Sequence, residues 1–173
     1  MMNDICLVVY TNRHIWAKTM MDTAENQIAE DRRTRMALLS QASPKVFAKQ
    51  WQQLGIDPEF EILRGPETGL VSLKGRIGGG GAPFPFGDAT ATRVSVRLVD
   101  NRVGHAMMLG RDTNRVTIAA VIDALCQNAD DKKKIDSELL APLEASILER
   151  DATRSAQTAA TRVDFFTMVR GED

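Results

Sequence analysis

The feature that most constrains this chain is a change in the spacing of its apolar residues. Between residues 59 and 109, apolar and polar side chains alternate in short segments, which is typical of β-strands. On both sides, at 26–54 and from Ile118 onward, apolar residues recur every three or four positions, as along one face of a helix. This order predicts an α+β domain in which an antiparallel sheet carries helices against one face.

Four of the alternating segments are predicted to be strands, namely 59–62, 71–77, 93–98 and 103–109. Gly65-Pro66 is expected to turn the chain between the first two, and Asp100-Asn101 to form a tight hairpin between the last two. A loop rich in glycine and proline, Gly78–Gly87, separates the two pairs. The predicted fold class is therefore α+β, with an antiparallel four-stranded sheet of two hairpins and with N-terminal and C-terminal helices.

The helix ends are marked by residues that commonly cap helices. Ser43-Pro44 predicts a helix start, and Gly55 predicts its end. Asp112 or Thr113 is expected to cap the helix that contains Ile118. A last helix is predicted from near Pro142 to about Arg162, with four alanines on one face of its second half. The charged run Asp130–Lys134 before it is interpreted as a solvated connector.

Length and composition narrow the function classes. At 173 residues the chain is long enough for one domain that buries about 70% of the surface of its unfolded form. A net charge of -1 and few aromatic residues argue against nucleic acid as a partner. Cys6 and Cys126 are far apart, so we expect no metal site, and Cys126 is interpreted as a buried thiol. The sequence has no run long enough to span a membrane and no signal-peptide pattern, which predicts a cytoplasmic protein.

The first residues differ from the rest of the chain. Residues 1–23 contain scattered apolar side chains with no clear period, and the pair Met20-Met21 closes this stretch. We expect 1–23 to be a poorly packed extension, with Met20 or Met21 as the candidate translation start. We expect 24–173 to form a single α+β domain with a C-terminal helix and a tail.

Positive side chains gather on the predicted strands. Alternation places Lys74 and Arg76 on one sheet face and Arg93 and Arg97 on one face of a later strand. One interpretation is a solvated face balanced by local carboxylates, and the other is an anion site or the footprint of an acidic partner. Together with amides and a hydroxyl of the neighbouring segments, the candidate anion-binding residues are Arg76, Gly79, Gly80, Thr90 and Arg93.

The sequence predicts no catalytic constellation. Ser72, Ser95 and Ser137 have no histidine that sequence spacing places beside them. Asp123 lies next to an apolar helical face, and we expect it to bond a nearby backbone group or an arginine rather than act as a base. No catalytic residue is therefore predicted.

Several stretches resemble the PhnG family, one of the component families of the bacterial carbon–phosphorus lyase core complex. The resemblance covers roughly the last 140 residues and is most specific at the end of the chain. The matching stretches are Glu67–Val71, Gly87–Thr90, Thr92-Arg93, Val96–Leu98, Gly110–Asp112, Ile122–Leu125, Ala141–Leu143 and Arg162–Gly171.

The resemblance implies a place in a cytoplasmic assembly of PhnG, PhnH, PhnI and PhnJ that degrades phosphonates. In that assembly a phosphonate displaces adenine from ATP to give ribose 1-phosphonate 5-triphosphate, PhnI is the catalytic chain, and PhnG assists it. The resemblance implies no cofactor in this chain, with ATP and a phosphonate as substrates of the complex, and PhnI as the most direct partner. Two alternatives stay open: a stand-alone nucleotide-binding transferase and a purely structural scaffold.

The C-terminal tail ends in an apolar cluster. Phe165 and Phe166 are adjacent and therefore point in different directions, and Met168 follows them. We expect these three, with Arg170 at the rim, to bind a partner protein of the assembly, because one face of a single domain does not easily bury both rings. The alternative is that the tail packs back onto the domain's own sheet.

Overall fold

A computed structural model describes residues 26–76 and 80–162 of the chain. Its first helix, α1, covers residues 26–41. The remaining elements are α2 Pro44–Leu54, β1 Phe60–Gly75, β2 Phe84–Leu98, β3 Val103–Leu109, α3 Thr113–Leu125, α4 Ala129–Ile135 and α5 Ala141–Ala160, with a π-helical turn Asp136–Leu140 joining the last two. The expectations for residues 1–23, for Gly79 and for the tail from Phe165 to Arg170 fall outside the described residues. None of the described helices has the length and apolarity to cross a membrane.

Over the described residues the sheet has three antiparallel strands in the order β1-β2-β3, so the predicted four-stranded sheet of two hairpins is wrong. The expected turn at Gly65-Pro66 does not reverse the chain. Gly65 has a φ of 78° and lies within the second of two register shifts, which occur on either side of Arg64, so the strand bends and continues. A Cβ at Gly65 would lie 2.6 Å from the carbonyl oxygen of Arg93, which shows how closely the bulge lies against β2.

The glycine- and proline-rich loop is also shorter than predicted, because β2 already begins at Phe84. The second hairpin is confirmed, with Asn101 in the left-handed conformation at its turn (φ 68°). The helix around Ile118 is confirmed too, and Asp112 caps it by accepting a hydrogen bond from the Arg115 amide at 3.0 Å. The expected connector at Asp130–Lys134 is wrong: this run is part of α4, which the side chain of Asn128 caps.

The core lies on one face of the sheet. Val94 and Val96 of β2 and Ala106 and Met108 of β3 are buried beneath α3. Gly104 lets α3 approach β3 closely, since a Cβ there would stand 2.0 Å from the carbonyl oxygen of Ala120. Further buried side chains come from the other helices: Leu39, Phe47, Leu54, Ile135, Leu139, Leu143 and Ile147. The region formed by α1–α5, β3, residues 60–69 of β1 and residues 91–98 of β2 is called the body below.

The buried thiol predicted at Cys126 is confirmed, and burial raises its pKa to about 11. Cys126 lies just after α3, next to the core formed by α3 and α4.

The far end of the sheet is built differently. β3 ends at Leu109 opposite Ala91, but β1 and β2 continue together as far as the Gly75–Phe84 pair. Residues 70–75 and 84–90 therefore form a two-stranded extension, called the ribbon below. Three of its large apolar side chains are exposed, with Leu70 at 70%, Phe86 at 61% and Phe84 at 42%, while Val71 and Leu73 are half-buried.

Candidate functional site

A cleft of about 620 Å³ lies between α1 and the sheet face that points away from the core. We call it the arginine cleft and define it by its polar lining residues, Arg32, Arg33, Arg64, Arg93, Ser95 and His105. Apolar side chains from α1 and β3, including Met36 and Met107, complete its walls.

Strand register determines which residues of the sheet face the cleft. Since Val94 and Val96 point into the core, Arg93 and Ser95 point to the opposite face. Arg64 pairs with Ser95, and Ser95 pairs with His105. These three residues therefore form one row across β1, β2 and β3, and two strand spacings separate the Cα atoms at its two ends by about 10 Å.

The position of α1 over the cleft is fixed by Asp123 of α3. Its carboxylate accepts hydrogen bonds from Arg32 Nε at 2.9 Å and Nη2 at 2.7 Å. The same carboxylate accepts the backbone N–H of His105 at 3.0 Å, and Arg35 lies 3.8 Å away. The expectation that Asp123 bonds arginine and backbone groups is confirmed.

The guanidinium groups of Arg64 and Arg93 share one carboxylate. Glu67 accepts hydrogen bonds from Arg64 at 3.0 Å and from Arg93 at 2.9 Å. The hydrogen bond from Arg64, followed by that from Arg93, holds the pKa of Glu67 below its ordinary value. More than half of each arginine side chain is still exposed, so both retain donors that a ligand can reach.

The cleft contains a serine–histidine pair that the sequence analysis missed. Ser95 Oγ and His105 Nδ1 are 2.8 Å apart. The Asp100-Asn101 hairpin was a usable signal, because its register sets residue 95 opposite residue 105. The neighbouring carboxylate of Asp123 binds the backbone of His105, so it does not orient the imidazole as in a catalytic triad.

The structure brings only part of the predicted anion-binding set to this cleft. Arg93 lines it, whereas Arg76 and Gly80 lie beyond the end of the ribbon and Thr90 lies within the ribbon. An anion-binding role for these residues stays a prediction. Local carboxylates do balance part of the basic face, since Arg93 pairs with Glu67 and Arg97 pairs with Glu61.

Metal-binding groups are not gathered in this part of the chain. Within residues 26–76 and 80–162, no group of three or more His, Cys, Asp or Glu side chains is placed to hold a metal ion.

Comparison with known proteins identifies the family. A family model described as phosphonate metabolism protein PhnG matches residues 30–171. The chain is also 44% identical over 157 residues to a protein of Rhizobium meliloti (strain 1021) named alpha-D-ribose 1-methylphosphonate 5-triphosphate synthase subunit PhnG; the match covers 89% of this chain and 100% of that protein. These matches confirm the resemblance seen in the sequence. The chain belongs to the PhnG family of phosphonate metabolism proteins.

Proposed function

We propose that this chain is an accessory subunit of an alpha-D-ribose 1-methylphosphonate 5-triphosphate synthase in the cytoplasm. It acts with PhnH, PhnI and PhnJ of the carbon–phosphorus lyase complex and contacts PhnI most directly. The name of the Rhizobium meliloti relative, which this chain matches over the relative's whole length, supports the proposal.

The proposed reaction is the displacement of adenine from ATP by a phosphonate. A phosphonate oxygen forms a bond to C1 of the ribose, and the bond from C1 to the adenine nitrogen breaks. Adenine leaves with the electron pair and takes up a proton. Because the substrate itself supplies the nucleophile, the protein must mainly orient the reactants, stabilise charge and assist the leaving base.

The exposed ribbon is the observation that carries the assignment to a larger complex. A two-stranded ribbon gains little stability in water by itself, and this one exposes Leu70, Phe84 and Phe86. Among the described residues no strand pairs with the outer edge of β1, so a partner protein can cover this edge. Lys74 and Asp88 on the ribbon add charges of both signs that help to select a partner.

A role as a stand-alone transferase is the second candidate. The observation that favours it is the Ser95–His105 pair beside the arginines of the cleft. Both residues lie in an open cleft, however, and the described carboxylates do not orient the imidazole ring. We therefore assign the chain an assisting role.

Co-expression with PhnH, PhnI and PhnJ tests the proposal. We expect the chain to co-purify with them, and adenine release from ATP and methylphosphonate to require the assembled complex. Leu70→Ser combined with Phe86→Ser should abolish co-purification while leaving the melting temperature of the isolated chain unchanged. The matched control is Val99→Ser, an equally exposed apolar residue at the opposite end of the sheet.

Two outcomes would count against this assignment. Adenine release by the purified chain without partners would favour the transferase. Normal co-purification of the Leu70/Phe86 double variant would show that the ribbon is not the docking surface.

A further inference from the structure

We propose that the arginine cleft binds a ligand with a chain of phosphate groups beside an apolar part, which is the chemistry of a nucleoside triphosphate. The inference deepens the proposed function and rests on it only for the choice of ATP as a probe. The binding itself is argued from the charges and geometry of the cleft.

The arginine cleft carries more positive than negative side chains. Four arginines line the cleft and, together with the buried Arg35 behind it, share three carboxylates: Arg32 and Arg35 on Asp123, Arg33 on Glu30, and Arg64 and Arg93 on Glu67. Arg33 is the least restrained, since its contact with Glu30 is 3.4 Å long and both side chains are exposed. An anion entering the cleft therefore meets guanidinium groups with unused donors, which bind phosphate oxygens in pairs.

The polar residues on the sheet side of the cleft form a long row. Arg64 and His105 lie at opposite ends of a row about 10 Å long, with Ser95 between them. A charge-assisted hydrogen bond requires a donor–acceptor distance of about 3 Å, so a single phosphate group does not extend along the whole row. A chain of phosphates does, with Arg33 approaching it from α1 on the other wall.

Part of the wall of the cleft is apolar. Met36 of α1 and Met107 of β3 line the cleft, and about half of the Met107 side chain is exposed. Methionine adapts its shape and makes favourable contacts with flat rings. An uncharged ring attached to the phosphate chain would therefore find a surface at this wall.

Glu67 provides a specific way to test the cleft. It occupies donors of Arg64 and Arg93 and competes with any incoming anion for them. Removing its charge in Glu67→Gln should therefore tighten phosphate binding several-fold, an effect that a purely structural role for Glu67 does not produce.

The experiment is titration calorimetry of the full chain without partners, using sodium tripolyphosphate, ATP and orthophosphate as probes. We expect tripolyphosphate to bind, ATP to bind more tightly, and orthophosphate to bind at least about tenfold more weakly than tripolyphosphate. Arg64→Gln should weaken tripolyphosphate binding about tenfold. The control Arg97→Gln removes an arginine from the same sheet face outside the cleft and should leave binding unchanged.

The inference is overturned if the chain binds neither tripolyphosphate nor ATP, or if Arg64→Gln and Arg97→Gln behave alike. Weaker binding by Glu67→Gln would also overturn it. Unchanged melting temperatures of the variants establish that they fold, as expected for exposed side chains. Because no partner is present, a chain that co-purifies with its partners but binds no probe contradicts only this inference, and a chain that binds the probes but does not co-purify contradicts only the proposed function.

Discussion

The two ends of β2 differ in how far their apolar side chains are buried. In the body, Val94 and Val96 are 1% and 0% exposed beneath α3, whereas in the ribbon Phe86 of the same strand is largely exposed. Both ends pair with β1 in antiparallel fashion, and both contain a register shift, so the difference does not come from the strand pairing. It lies in what covers the sheet: α3 packs on Val94 and Val96 at the body end, whereas Leu70, Phe84 and Phe86 of the ribbon are exposed.

This contrast separates folding from binding. Each apolar side chain buried in the body contributes roughly 1.5–3 kcal/mol to stability, and the ribbon side chains gain little of this until another surface covers them. We therefore expect the body to provide stability and the ribbon to bind the partner. Identical substitutions in the two regions test this assignment.

The largest difference in stability between the body and the ribbon is expected when an aspartate of each region is replaced by alanine. Asp123→Ala leaves the buried Arg35 without its counter-charge and the His105 amide without its acceptor, so unfolding free energy should fall by about 3–5 kcal/mol. Asp88→Ala in the ribbon, where the side chain is exposed, should change it by less than about 0.5 kcal/mol. Urea unfolding of both variants measures the two values, and equal losses would break the contrast.

A glycine pair should give the next largest difference. Gly104→Ala forces a methyl group against the backbone of α3 and should cost about 1–3 kcal/mol or more, because neither element yields easily. Gly87→Ala places its methyl group where nothing lies within 4 Å, and we expect a change close to zero. Thermal unfolding of both variants is the measurement. A tolerated Gly104→Ala would mean that α3 packs less tightly on β3 than described.

The rate of thiol alkylation should differ between a cysteine in the body and one in the ribbon. Burial raises the pKa of Cys126 from an ordinary 9.0 to about 11, so at pH 9 its thiolate fraction should be about fifty-fold below that of a free thiol. We expect slow alkylation of Cys126 by iodoacetamide in a Cys6→Ser background. Ser72→Cys, added to a Cys6→Ser, Cys126→Ser background, should react at the rate of a free thiol from the ribbon.

The raised pKa of Cys126 also makes the stability of the protein depend on pH. Because the native state holds the Cys126 proton more tightly than the unfolded state, the free energy of unfolding should fall as pH rises from about 9 towards 11. Cys126→Ser should lack this part of the pH dependence. Fast alkylation of native Cys126 would contradict its burial.

Much of the body was predictable from the sequence, because its signals are local. The cap at Asp112, the helix end at Gly55 and the hairpin at Asn101 all lie where the sequence analysis placed them. The continuity of β1 was not predictable, since Gly65-Pro66 is also a common turn and only pairing with β2 decides between a turn and a bulge. Strand pairing depends on residues distant in the sequence.

The site was predictable only in part for a related reason. Arg93 was identified by alternation along its own strand, but Arg32 and Arg33 reach the cleft because Asp123, about ninety positions later, positions α1. The Ser95–His105 pair was within reach of sequence reasoning and would have followed from extending the hairpin register by a few residues.

Hydrogen–deuterium exchange on the isolated chain and on the co-purified complex tests the central contrast most directly. We expect the backbone amides of the ribbon, residues 70–75 and 84–90, to exchange rapidly in the isolated chain and to be strongly protected in the complex. Amides of α3 and of residues 91–98 of β2 should be protected in both samples. A ribbon that is as protected as the body in the isolated chain, or that exchanges equally fast in the complex, would contradict the account.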